Sequence, residues 1–320
     1  MSTLPVDEST ALPESVGAVR GRTPWQLFWA RLKQDRLAFI GLGIIVVMVI
    51  LALIAPLIAS LTGHGPNETF RTAQDAFGIP KGPNGDFFMG ADGAGRDVLV
   101  RLAYGARVSL IVGIVASGIA LVIGVLFGIV AGYFGGWIDA VISRAGDVML
   151  SLPLIIFAIG IVAACSTSEQ GCFNGLLKPG LLMVILIIAL FSWPSPARLV
   201  RGATLSLREK EFVEAARALG ASPRRIMFRE ILPNLIAPIV VYGSLLIPSS
   251  VLFESYLSFL GLGIPGDTPS WGKMLSESVS TFRVAWWFWL FPGLFLMLMV
   301  LAFNLLGDGL RDALDPRTGR

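Results

Sequence analysis

The sequence predicts an all-α membrane protein with six transmembrane helices, and three observations carry that prediction. Of its 320 residues, 54% are hydrophobic and 15% charged, and the mean hydropathy is +0.74, a balance at which a water-exposed domain of this length aggregates. The apolar residues gather in blocks of about 20, and at about 1.5 Å per residue each block crosses the roughly 30 Å hydrocarbon core as a helix. No alternation of apolar and polar positions runs through the blocks, which argues against a barrel.

The elements follow in order. Residues 1–36 form an N-terminal unit. Small, polar and proline residues up to about position 20 read as a disordered tail, and "TPWQLFWARLKQDR" after it reads as an interfacial amphipathic helix with Trp25, Phe28, Trp29 and Leu32 on one face. Residues 37–60 are the first span, an uncleaved anchor too long for a cleavable signal. Residues 61–105 are rich in Gly, Pro, Asn and Asp and form an external loop. They end in "GADGAGRDVLVRLAYGARVSL", where Asp97 starts a short helix and Arg96, Arg101 and Arg107 sit at headgroup depth.

Residues 106–307 form the core, with further spans at 108–134, 148–164, 180–199, 235–256 and 286–306, and residues 308–320 are a C-terminal tail. In the second span Ala120, Gly124, Gly128 and Gly132 recur every fourth residue, a small-residue seam for close helix packing. Pro153, Pro194, Pro196, Pro238, Pro248 and Pro292 lie in or at the ends of the other spans and permit kinks.

Placing the N-terminus in the cytoplasm puts 17 of the 25 Lys and Arg residues on the cytoplasmic side. Cations near span ends stay there, so both termini are expected inside. The net charge of +3 then serves topology and headgroup contact, and nucleic-acid binding is disfavoured.

The chain carries no catalytic apparatus and no metal site. His64, the single histidine, lies in the external loop without a ligand cluster and is expected to be solvated. "GDTPSWGKM" fails the spacing of a phosphate-binding loop. Cys165 and Cys172 fall in one short external loop, where they form a disulfide or remain two thiols. Glu254 lies near the outer end of the fifth span, hydrogen-bonded or snorkelling at the boundary. Mid-span charge of the kind that couples proton or sodium gradients is scarce.

Against this background the polar stretch "EFVEAARALGASPRRIMFREILPN" (211–234), set between two apolar runs, is conspicuous. Phe212, Ala215, Ala216 and Leu219 share a small apolar face, Glu211, Glu214 and Arg217 point elsewhere, and Gly220 ends the helix. The residues alone leave two roles open, a helix resting on lipid or a helix entering a groove on another protein.

"EAARALGASPRRIMFREILP" resembles the EAA loop of membrane subunits of ATP-binding-cassette importers, matching at Glu214, Ala215, Ala216, Gly220, Leu232 and Pro233, with Glu230 where an apolar residue is usual. "GADGAGRD" is similar to the GTDxxGRD segment of dipeptide, oligopeptide and nickel permeases, with Ala91 in place of Thr. "ESYLSFLGLGIPGDTPSWGKML" and "FNLLGDGLRDALDPR" resemble the C-type permease of that family.

The resemblance implies the type I importer permease fold, with residues 209–221 as a cytoplasmic coupling helix. Phe212, Glu214, Ala215, Ala216, Leu219 and Gly220 would then dock an ATPase. It further implies a bacterial inner-membrane complex with a related B-type permease subunit, two cytoplasmic ATP-binding subunits and an extracytoplasmic binding protein. Such a complex imports dipeptides or oligopeptides, or alternatively nickel chelates or another small solute. ATP and Mg would reside on the partner subunits, and no cofactor on this chain. An ion-gradient-driven secondary transporter is the alternative class.

Overall fold

The structure, a computed structural model, describes residues 24–166, 172 and 178–314. The polar tail expected before position 20 lies outside them, as do the last residues of the C-terminal tail. Among the described residues the chain is mostly helical, and two isolated antiparallel bridges, Gln74 to Pro80 and Ala91 to Asp97, lie in the loop before the second crossing.

Helix α1 (Pro24–Leu32) leads to α2 (Arg36–Leu53), whose start is fixed by Asp35. The Asp35 carboxylate accepts from the backbone N–H of Leu37 at 2.9 Å and of Ala38 at 3.1 Å, satisfying two donors that a helix start leaves free. The sequence reading placed α1 in the lipid interface. Phe28 and Leu32 pack with Ala38, Leu310 and Ala313, seating it on the C-terminal helix, while Trp29 remains 41% exposed. The first crossing kinks at Ile54 and continues as α3 (Ala55–Thr62), where Pro56 removes one ladder donor.

The cap, residues 63–97, ends at Asp97, which caps α4 (Val98–Phe134) by accepting from Leu99 N–H at 2.8 Å. The second crossing was expected to begin at 108 after a separate short helix. It begins instead at Val98 as one unbroken 37-residue helix. Arg101, which the sequence places in the headgroups, is instead fully buried and paired with Glu277, so this turn of α4 runs under protein cover.

The span expected at 148–164 is also corrected. Helices α5 (Gly136–Ser151) and α6 (Leu154–Ser166) meet at an 85° bend. Pro153 disfavours helical geometry in the residue before it, and Leu152 is extended at φ −79°, ψ 131°. At about 1.5 Å per residue, the 13 residues of α6 reach about 20 Å, short of the hydrocarbon core. Together the two helices are long and apolar enough to form one broken span or a re-entrant loop. Helix α5 begins beside the end of α4, whereas Ala158, Val162 and Cys165 of α6 join Val112 and Ala116 in the other half of α4.

The chain returns through α7 (Leu181–Ser192) and α8 (Pro194–Leu207), then turns through the short α9 (Glu211–Ala218). A turn of helix, α10 (Pro223–Arg225), widens into a π segment at Ile226–Ile231 and runs into α11 (Leu232–Phe259). Pro233 cannot donate to the carbonyl of Arg229, and the wider turn accommodates that missing bond. A short α12 (Trp271–Ser278) on the cap side precedes α13 (Trp286–Leu314). Five helical stretches are long and apolar enough to cross a membrane, or six with the bent α5–α6 pair counted as one span.

Candidate functional site

The polar stretch between the fourth and fifth crossings forms a short helix on a rigid seat. Val213 is fully buried and packs with Ile129 of α4, Val200 of α8, Ile226, Met227 and Ile231 of the π segment, and Leu235 of α11. Ala216 and Ala221 lie against the same cluster. The helix ends in a Schellman arrangement in which Gly220 N–H donates to Arg217 O and Ala221 N–H to Ala216 O, both at 3.0 Å. Gly220 has φ +75°, the left-handed region where a side chain is strained.

This corrects the apolar face read from the sequence. Phe212, Ala215, Ala216 and Leu219 do not share one environment. Ala216 faces the seat, whereas Phe212 is 40% and Leu219 88% exposed, with Glu214, Ala215 and Gly220 also exposed. Val213 was missed because an eight-residue helix with apolar positions on two sides does not declare which side is covered. The long apolar runs flanking it were the available signal.

The small-residue seam lies behind this seat. Ala120, Gly124, Gly128 and Gly132 are all buried. A Cβ on Gly124 would lie 2.6 Å from Pro196 Cγ, one on Gly128 2.6 Å from Ala197 O, and one on Gly132 2.6 Å from Thr204 Cβ. Helix α8 therefore lies directly on α4, and only a missing side chain allows that distance. Arg208 Nη1 donates to Gly132 O at 3.1 Å, and Arg201 makes a two-pronged pair with Asp139 of α5. These bonds hold the cationic end of α8 in helical form beyond the span end expected at 199.

At the opposite end of α4 the GADGAGRD turn builds a buried ion network. Asp92, with no exposed surface, accepts from the backbone N–H of Ala94 and Arg96 at 2.9 Å each and from Arg96 Nε at 2.6 Å. Glu277 Oε2 of α12 accepts from Arg96 Nη2 at 2.7 Å and from Arg101 Nη2 at 2.8 Å. Arg101 Nε lies 3.4 Å from Asp92. Removing one partner from such a buried set costs about 3–5 kcal/mol, because it leaves a charge uncompensated.

One further expectation fails here. His64 is not solvated: its Nδ1 lies 2.7 Å from Asp97 Oδ2, and its ring stacks on Phe87 with centroids 4.9 Å apart. Of the two states expected for Glu254, hydrogen-bonded or snorkelling, the structure shows the first. It is fully buried, accepting from Ser258 Oγ at 2.6 Å and Ser109 Oγ at 3.1 Å, so it joins α11 to α4. Glu277 escaped the sequence reading altogether, and its only signal was an acid on a short amphipathic segment. Cys165 and Cys172 are bonded to each other, with Cα atoms 4.8 Å apart. Among the described residues no group of His, Cys, Asp and Glu is arranged to hold a metal.

Residues 124–320 match the family described as binding-protein-dependent transport system inner membrane component, and residues 23–80 match the N-terminal TM domain of oligopeptide transport permease C. The dipeptide transport system permease protein of Alkalihalophilus pseudofirmus is 43% identical over 295 residues, spanning 92% of this chain and 90% of the relative. The glutathione transport system permease protein of Pectobacterium atrosepticum is 40% identical over 92% of each chain. The oligopeptide transport system permease protein of Haemophilus influenzae is 37% identical over 93% of this chain and 90% of its own. The chain also superposes on a solved structure of the MetNI methionine ABC transporter in an inward-facing conformation, with a TM-score of 0.54 at 20% identity. That likeness covers 67% of this chain and 96% of the other and bears on the fold alone.

Proposed function

The chain belongs to the family of binding-protein-dependent transport system inner membrane components, and from that membership we propose that it is the permease subunit of an ATP-driven importer of short peptides. It is a multi-pass inner-membrane protein. In this reading it lines the path together with a related permease subunit and receives solute from an external binding protein. Two partner subunits hold ATP and Mg and do the hydrolysis. Peptide cargo is favoured because relatives at 37–43% identity are named for dipeptides, glutathione and oligopeptides.

One observation carries the coupling role, the two-sidedness of α9. Its inner side is locked to α4, α8 and α11 through Val213, while its outer side leaves Phe212 and Leu219 uncovered between charged neighbours. A helix resting on its own protein by one face, with apolar side chains free on the other, suits insertion into a groove on an ATPase. Closure of the ATPases then displaces α9, and the common seat passes that displacement to three crossings at once.

The test is a reconstituted complex carrying Phe212→Ser with Leu219→Ser. Burying a Phe or Leu contributes about 1.5–3 kcal/mol, so losing both weakens docking by about a hundredfold to ten-thousandfold. Insertion and thermal stability should match the wild type, while ATP hydrolysis stimulated by the binding protein falls to background. Full stimulation in the double variant refutes the docking role.

A further inference from the structure

We propose that the groove between α2 and α4, on the cap side, binds one phospholipid, with an acyl chain along the groove and the phosphate on Arg107. The groove has a volume of about 300 Å³ and is lined by Val49 and Leu53 from α2 and by Ile111, Ile114 and Val115 from α4, with Arg107 among them. Four of these aliphatic side chains are uncovered by the protein: Leu53 is 68% exposed, Ile111 45%, Ile114 49% and Val115 41%. The opposite face of α4 is spoken for, since Val112 and Ala116 are fully buried and a Cβ on Gly113 would lie 2.4 Å from Val251 of α11. The groove therefore looks away from the helical core.

Its depth is set by helix rise. From Arg36 to Leu53 the first crossing climbs about 26 Å at 1.5 Å per residue, against a hydrocarbon core of roughly 30 Å. Counted from Arg36 at the inner boundary, the end of the groove beside Leu53 lies about 4 Å short of the outer one, and α3 carries the crossing past it.

Arg107 is half-buried there, its guanidinium 5.8 Å from the Tyr104 ring, and among the described residues no carboxylate lies within ion-pair reach of it. Arg96 and Arg101, by contrast, share Asp92 and Glu277. A cation held unpaired at the edge of hydrocarbon needs an anion with oxygens to accept from its fork, and a phosphodiester offers them at that depth. The adjoining aliphatic trough matches the chain that the phosphate carries, so charge and apolar surface select one molecule between them.

The proposal is independent of the transport reading, and its test reads lipid retention rather than transport. The chain is purified in mild detergent with whatever subunits accompany it, and bound lipid is counted by native mass spectrometry after adding phosphatidylglycerol. We expect one tightly held lipid on the wild type and on Arg107→Lys. Retention should fall about five- to tenfold in Arg107→Gln, and also in Ile111→Trp and Leu53→Trp, which fill the trough; two filling variants guard against one failing to fold. Equal retention in all variants overturns the proposal. Displacement by millimolar inorganic phosphate also overturns it, by assigning Arg107 to a free anion, as does cross-linking of Ile114→Cys to another subunit, by assigning the groove to protein.

Discussion

At Gly128 a single methyl group decides whether two crossings fit together. Its Cβ would meet a backbone carbonyl, Ala197 O, at 2.6 Å and Val200 Cβ at 2.8 Å, and neither is the far end of a flexible side chain. Gly128→Ala must push α8 away, at about 1–3 kcal/mol for overpacking. Gly118, on the same helix, has open space within 4 Å of a Cβ, so Gly118→Ala should stabilise by up to about 0.5–1 kcal/mol through helix propensity. Melting temperatures in detergent should move in opposite directions for the two variants, and a shift of the same sign would mean the seam does not control this packing. The fourfold recurrence of small residues made the seam visible in the sequence, but not the partner helix, because the pattern records only one side of the contact. The ion network was less legible still. Asp92 and Glu277 are separated by most of the chain, and nothing in either neighbourhood names the other.

Among the elements, α9 and the α5–α6 elbow show where periodicity stops being informative. In α9 the seat and the outer side are both apolar, and only the fold reveals that Val213 is the covered residue. Val213→Ser should therefore lower the melting temperature, losing about 1.5–3 kcal/mol of burial and placing a hydroxyl without a prepared partner. Leu219→Ser, at a site 88% exposed, should leave the melting temperature within error. Equal destabilisation by both would place Leu219 inside the protein. The elbow was hidden for another reason. Proline announces that a carbonyl loses its donor, not whether the helix continues past it: Pro238, Pro248 and Pro292 remain inside helices, while Pro153 ends one.

Across the whole molecule, composition and block length made the crossings legible, and their sidedness follows from the count. If the bent pair crosses, α9 and the cap lie on opposite faces of the membrane; if it merely dips and returns, they share one. Phe77 of the cap is 89% and Leu219 of α9 88% exposed, so each makes an accessible labelling site as Cys. The two native cysteines are bonded to each other and leave little background. An impermeant maleimide should label Phe77→Cys on intact cells and Leu219→Cys only in inverted vesicles. Labelling of both from one face would contradict six crossings and a cytoplasmic α9.

The unbroken length of α4 has a mechanical consequence. From the buried arginine cluster at Arg101 to Ile129 beneath α9 it spans about 42 Å at 1.5 Å per residue, with no proline and no break in the helix. Such a beam behaves as a seesaw whose fulcrum is the close contact near its middle, where Gly113 meets Val251 of α11. A sideways nudge at its lower tip must reappear at the upper one, reversed in direction, so neither mouth of the protein can tilt without the other answering.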